Sequence, residues 1–492
     1  MAWKPHKHWV CSLKIEENCS KSVVQGSGLC YKHLAMSIQE TARQLPMFEL
    51  RFADRLNPEH ELLRAARLID WDQLHESLSS YYSPFGRSGK PIRLMVGLHI
   101  LKHRYNCSDE RTVEELHENA YWQCFCGFET FQTKVLLDAT SLVKFRNRLG
   151  SEGMKQIEAV LLKTWGEMGL VRTKKVAFDT TAQPKNIAYP TDADLLHRVR
   201  EKIVQHMKRV REEVTLRKPF RSFTRVSKRM LLGIKKFHRR DPEKRTQAVQ
   251  ALQRVVSRVV HQANRVVHTL YVRRRKDLAR PLHQLAVTGL RIVRQTAEVL
   301  QGEKPRKRLY SLHETEVAVI KKGKSHPECE FGSVVAMAIN EDGLIIAHKE
   351  YQKNPSDVMT LNPLLRGVQT NTGRIPVEIC ADRGFSRPLA KEERWRQRSG
   401  LKRLAIPRRG KRPHPQGEAA WFKRGLRRRV KIEPVIGHLK NDHRMNRCRY
   451  KGPVGDTANV VWAAVAWNTK KVASLSWLKE QKQAQREVRL AV

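Results

Sequence analysis

The chain lacks any long apolar run. No stretch of its 492 residues approaches the roughly 18 apolar residues that cross a bilayer. The longest candidate, Val460 to Trp467, is far too short. The first residues, Met-Ala-Trp-Lys-Pro-His-Lys-His, have no apolar core of a secretory signal, and no lipidation motif is visible. These absences predict an intracellular, cytoplasmic protein with no membrane partner. No G-x-x-x-x-G-K-[ST] loop is present to cradle a nucleotide, which argues against ATP use. Cysteine is sparse: nine residues, an odd number and scattered, which argues against a disulfide framework.

Acid is scarce beside base. Asp and Glu number 49 against 94 Lys and Arg, a formal net charge of +45. A surface this basic repels itself unless it meets a polyanion. Nucleic acid fits best, because neutralising phosphates releases counterions and drives association. The charge is spread over most of the chain rather than gathered in one tail, which predicts an extended binding surface for nucleic acid.

Residues 1–45 stand apart, with little core material. Cys11, Cys19, Cys30 and His33 read as C-x7-C-x10-C-x2-H. Zinc takes four such ligands in a tetrahedron and can order a short segment without an apolar core. A zinc knuckle is one reading, with His6 and His8 as alternative ligands, and unpaired surface thiols are the other. Residues 46–170 have helical periodicity: Leu62, Leu63, Ala66 and Leu68 recur at helical spacing, Ile92 to Leu101 gives a second stripe, and Ser108-Asp-Glu-Arg-Thr reads as a capped helix start. A compact helical domain here suits a DNA reader, or a purely structural bundle.

Val176-Ala-Phe-Asp179 reads as a buried strand ending on a carboxylate. A helical block follows over about 195–310. Its Val255, Val256, Val259, Val260, Ala263, Val266, Val267 and Leu270 form one stripe, with Arg273 to Lys276 just after. Such stripes pack, and so many cations between them predict a phosphate-tracking face. Phe331–Ile339 and Leu344–Tyr351 read as a hairpin joined by Asn340-Glu-Asp-Gly. Ser356–Val368 reads as a helix, Ile375–Asp382 as a strand again ending on a carboxylate, and Leu404-Ala-Ile-Pro as a short strand. Arg427–Lys440 reads as one helix and Asn459–Lys471 as a closing one.

Asp179, Asp382 and Glu433 are candidate ligands for two divalent ions, Mg2+ or Mn2+. Carboxylate oxygen suits these hard cations, and a pair of them serves phosphoryl transfer. Most acids at strand ends only cap turns, so the order Asp, Asp, Glu matters more than the acids themselves. Arg429, Glu433 and Lys440 form R-x3-E-x6-K, with cations and acid near one helical face, and an ordinary i,i+4 ion pair is the alternative. His326, His438, Asp192 and Asp194 are lesser candidates, better read as structural histidines and helix-capping acids.

The ordered pieces Asp179-Thr-Thr-Ala-Gln-Pro-Lys-Asn-Ile-Ala-Tyr-Pro, Ala381-Asp-Arg-Gly-Phe, Ile432-Glu-Pro-Val-Ile-Gly-His-Leu-Lys and Arg449-Tyr-Lys-Gly-Pro-Val-Gly-Asp-Thr-Ala-Asn resemble bacterial insertion-sequence DDE transposases. The resemblance is to the group with a Y-x2-R-x3-E-x6-K signature. It covers about residues 46–475 and implies an α/β, RNase H-like mixed sheet over 171–475. A helical N-terminal domain would precede that core and a basic helical insertion would follow the first catalytic strand; residues 476–492, beyond the resemblance, read as a basic tail. It implies Asp179, Asp382 and Glu433 as catalytic metal ligands, and Arg429 and Lys440 as DNA contacts. The implied reaction is cleavage at the element's terminal inverted repeats, then joining to target DNA, by a homodimer at synapsis. The signature Tyr falls at Leu426 here. A catalytically inactive DNA-binding derivative and a nuclease of the same fold remain the alternatives.

Overall fold

The computed structural model describes residues 51–491 except 84, 87, 135, 136, 217, 218, 237–240, 322–328, 411 and 412. The possible zinc ligands and His326 therefore lie outside the described residues.

The first part is helical: α1 (Phe52–Arg55), α2 (Glu61–Arg67), α3 (Trp71–Ser79), α4 (Ile92–Arg104), α5 (Asp109–Glu118), α6 (Ala120–Phe125) and α7 (Ala139–Glu167). Short polar side chains start α3, α5, α6 and α7 by accepting backbone N–H groups that have no intrahelical partner. Asp70 accepts from Gln73 N, and Ser108 from Arg111 N as the sequence predicts. The helix expected to open at Thr140 begins one residue earlier, under the Asp138 cap. α7 kinks at Gly150, whose φ of 59° lies in the left-handed region that glycine tolerates.

Strand β1 (Lys175–Pro184) leads into the inserted helices α8 (Asp192–Glu213), α9 (Thr224–Lys236), α10 (Pro242–Val272) and α11 (Lys276–Leu300). All eight residues of the predicted α10 stripe are buried. Seven of them, all but Val255, pack with apolar faces of α8 and α11 into a core that contains no residue of the sheet. After the insertion come β2 (Ala318–Ile320), β3 (Glu330–Asn340), β4 (Ile345–Tyr351), α12 (Asp357–Thr372), β5 (Glu378–Ala381), α13 (Leu389–Arg398) and β6 (Arg403–Ala405). The chain closes with α14 (Ala420–Val430), α15 (Ile432–Asn441) and α16 (Gly452–Ala491).

The sheet runs β2-β3-β1-β5-β6, with β4 also on β3. β3 is antiparallel to β1 and β4, whereas β1, β5 and β6 are parallel. The β3–β4 hairpin turns where the sequence predicts. Gly343 takes φ 84°, and Asn340 Oδ1 accepts from Asp342 N and Leu344 N. This is the mixed α/β, RNase H-like sheet expected, preceded by helices and interrupted by a helical insertion.

Side-chain alternation divides the sheet into two faces. Val176, Phe178, Ala336, Ala338, Ile379 and Ala381 share one continuous core with α12 and the N-terminal helices α2 to α7. Ala177, Val335, Met337, Ile339, Cys380 and Ala405 pack against α14, α15 and one side of α16.

Four details depart from the sequence reading. β1 does not stop at Asp179 but continues beside β3 as far as Pro184↔Gly332. β5 is shorter than expected, beginning at Glu378 after Pro376, which has no N–H to give a ladder. The closing helix is far longer, Gly452–Ala491, and includes the segment read as a basic tail. The helix expected over Arg427–Lys440 is two helices meeting at Lys431. Pro434 explains the break: it has no N–H for the Val430 carbonyl, and its ring crowds that carbonyl.

Candidate functional site

β1 and β5 are paired in parallel up to Phe178↔Ala381. The next residue on each chain is an acid, so Asp179 and Asp382 stand level on neighbouring strands where that ladder ends. By alternation both share the face of Ala177 and Cys380, the face covered by α15. Glu433 lies in the first turn of α15. Asp179 and Asp382 thus stand at one end and on one face of the sheet, and α15 on that face carries Glu433.

Arg429, near the end of α14, links two of them. Its Nη1 donates to Glu433 Oε1 at 2.9 Å and its Nη2 to Asp179 Oδ2 at 3.4 Å. Its Nε is buried with no hydrogen-bond partner among the described residues. The Pro434 break permits this arrangement: Arg429 and Glu433 stay in reach although they sit on different helices. The Asp179 side chain is 12% exposed and that of Glu433 59%, so the site grades from a buried wall to an open rim. Asp382 Oδ1 accepts from Gly384 N at 2.8 Å, which fixes the short 3-10 turn Arg383–Phe385 after β5. Lys440 lies two turns beyond Glu433 on α15, its Nζ 4.0 Å from the Glu330 carboxylate.

As they stand, no three His, Cys, Asp or Glu side chains among the described residues converge closely enough to hold an ion. The Arg429 guanidinium lies between Asp179 and Glu433, 3.4 Å from the one and 2.9 Å from the other. The donors themselves are all carboxylate oxygens. The nearby sulfur, Cys380, is buried, which pushes its thiol up to about 12, and its Sγ donates to the Val176 carbonyl.

Sequence reasoning missed Asp357. Its Oδ1 accepts a 2.8 Å hydrogen bond from Thr180 Oγ1, the residue after Asp179. A Cβ on Gly384 would collide with the Asp357 carboxylate and stand 3.0 Å from Asp382 Oδ1. The two carboxylates therefore border one small space that glycine leaves open. The sequence signal was only an acid following Ser356 at a helix start.

Other candidates take structural places. Thr191 caps α8 by accepting from Asp194 N, while Asp192 pairs with Arg308. His438 is engaged by Asp442 at 2.6 Å and stacks on Trp467. Leu426, where the signature has Tyr, packs against the α14–α15 core. In the last motif, Asp456 pairs with Lys185 at 2.8 Å and Asn459 donates to Gln183, tying α16 to β1.

The insertion carries much of the charge: residues 191–300 contain 28 Lys and Arg against 9 Asp and Glu. On α10 the exposed positions Arg254, Arg258, His261, Arg265 and His268 form one stripe opposite the buried valines, and no acid follows Glu243 in that helix. Among the described residues no carboxylate lies within 4.0 Å of Arg254, Arg258 or Arg265, although shorter ion pairs form elsewhere on the insertion, as between Arg275 and Glu213.

Comparison with known proteins gives two family matches. A family described as "Transposase domain (DUF772)" matches residues 50–148, and one described as "Transposase DDE domain" matches residues 304–469. The second span contains Asp382 and Glu433, whereas Asp179 precedes it. The chain is also 38% identical over 193 residues to a Rhizobium meliloti protein described as "Uncharacterized protein ORF8 in nfe locus". That alignment covers 38% of this chain and 91% of the relative. No solved structure matches.

Proposed function

This chain belongs to the DDE transposases of insertion sequences, and from that premise we propose that it cleaves DNA at the terminal inverted repeats of its element and joins the freed 3′-hydroxyl to target DNA. One observation carries the reading: the Phe178↔Ala381 pairing leaves Asp179 and Asp382 level on adjacent parallel strands, and Arg429 ties Asp179 to Glu433.

The residues fit a divalent centre. The donor set is hard oxygen, as Mg2+ or Mn2+ requires, and Gly384 keeps a space open beside Asp382. Asp179, Asp382 and Glu433 would hold the ions. When bound, such a pair activates the attacking oxygen and stabilises the leaving one in phosphoryl transfer. The protein's own groups do the rest. Asp179 is held rigid within a strand bonded on both sides up to the preceding residue. Arg429 and Lys440, flanking Glu433, grip phosphates next to the scissile bond, Arg429 turning from carboxylate to DNA as the acids find other partners. The α10 stripe tracks the duplex backbone through charge rather than base identity. The helical region 46–170 serves as the end reader, two copies meet at synapsis, and Cys11, Cys19, Cys30 and His33 hold a structural zinc ion.

The test is a strand-transfer assay with Mg2+ and duplexes carrying the DNA that flanks the coding region. Joined products are expected. Asp382→Asn should abolish chemistry and leave DNA binding intact. Cleavage that survives this substitution overturns the site assignment, and cleavage without joining favours a nuclease.

A further inference from the structure

Two neighbouring carboxylates in a chain of net charge +45 should attract a protein cation. Among the described residues neither Asp357 nor Asp382 has a Lys, Arg or His partner within 4.0 Å, while thirty such pairs form elsewhere. Cations are close at hand, yet they bind backbone instead. Arg409 donates to the carbonyls of Arg383 and Gly384, and Arg387 to that of Val358. These guanidinium groups bind the carbonyls of Val358, next to Asp357, and of Arg383 and Gly384, just after Asp382, and leave the two carboxylates to each other.

Two carboxylates that border one space without a protein cation form a set of hard oxygen donors that a divalent ion would complete. The space itself is preserved: a methyl group at Gly384 would strike the Asp357 carboxylate and crowd Asp382. Gly384 has no left-handed backbone to explain its identity, so the open volume is the reason for glycine there. Thr180 completes the link, since its hydroxyl holds Asp357 Oδ1 while its backbone N–H donates to Asp179 Oδ1 at 2.7 Å.

We propose that Asp357 is a fourth acid of the divalent-ion centre, presenting Oδ2 beside Asp382 to the ion and, through Thr180, positioning Asp179. This rests on the metal-dependent reading above and adds a residue that the three-acid pattern does not contain. The competing account is ordinary: an acid in the first turn of α12 stabilises the helix dipole. That role needs neither Thr180 nor the space at Gly384.

Binding of Mn2+ alone to the full chain, followed by calorimetry and by the Mn2+ electron paramagnetic resonance signal, separates the two. Asp357→Asn preserves shape and an acceptor for Thr180 but removes the charge. Its Mn2+ affinity should fall on the order of 10- to 100-fold, as for groups that support metal ligands, with the melting temperature unchanged. Gly384→Ala fills the space from the other side and should weaken Mn2+ equally, which keeps the test open if the first variant folds poorly. If both variants bind Mn2+ like the parent while Asp382→Asn binds it weakly, Asp357 is only a helix-capping acid. If Asp382→Asn also binds like the parent, the metal-site reading itself fails.

Discussion

Replacing Arg254, Arg258 and Arg265 of α10 by Gln should change how DNA binding responds to salt more than it changes the fold. The three side chains are exposed on one face, opposite a fully buried apolar stripe, so their loss removes charge without opening the core. At about 1.5 Å of rise per residue the stripe from Arg254 to His268 runs roughly 21 Å, long enough to follow several phosphates of a duplex. Each neutralised phosphate steepens the plot of log affinity against log salt by about 0.9, so the triple variant should lose about 2.7 from the slope. Between 50 and 200 mM salt that difference compounds to roughly 40-fold: the variant's deficit at low salt should exceed its deficit at high salt by that factor. Fluorescence anisotropy of a labelled duplex, titrated across that range, reads the slope directly. Because these contacts are to backbone, element-end and random duplexes should lose affinity alike. An unchanged slope would refute the assignment of this face to DNA, even if overall affinity fell.

His348 offers a pH-dependent test of how the N-terminal helices are joined to the sheet. It is buried between Glu158 of α7, at 2.9 Å, and Glu350 of β4, at 2.6 Å. Despite desolvation, the two carboxylates raise the imidazole to about 10, and the imidazolium holds Glu350 down to about 2. The histidine's contribution is therefore complete below pH 6.5 and fades as pH climbs toward 10, while that of Glu350 fades as pH drops from 4.5 toward 2. His348→Gln should cost about 3–5 kcal/mol at pH 6, measured by urea unfolding, with a smaller cost at pH 10; an equal cost at both pH values would refute a charged histidine. Gly425→Ala should destabilise by about 1–3 kcal/mol, because the new Cβ would lie 2.7 Å from that of Ala405 where α14 packs on β6; a melting temperature equal to the parent's would show that the contact relaxes freely. Substituting Cys11 and Cys30 together should abolish zinc retention by the purified chain, measured by elemental analysis, and full retention would rule out the cluster as the ligand set.

What the sequence disclosed depended on how local the determining physics was. The hairpin was legible because Asp342-Gly343 sets its own turn, and the α10 core because eight apolar residues repeat at helical spacing. Asp179 and Asp382 were legible as acids following apolar strands, although only the pairing with β3 reveals that β1 runs on past Asp179. The break at Lys431 was available in Pro434 and was outweighed by the regular spacing of Arg429, Glu433 and Lys440. Asp357 was not legible, since its meaning comes from Thr180, 177 residues away, and from a glycine on a third segment. The Arg429 link to Asp179 spans 250 residues and likewise has no local trace.

The insertion has its own core, and its two ends meet. Asp192, at the start of α8, accepts from Gln295 near the end of α11 and from Arg308 just beyond it. The chain thus leaves the sheet from β1 and returns through β2 to β3, the strand that is bonded to both. A module hung on such a hinge point is free to grow, shrink or be exchanged for another while the strand that carries Asp179 stays in register. In the proposed function, its size and charge follow the DNA to be held, independently of the chemistry at Asp179.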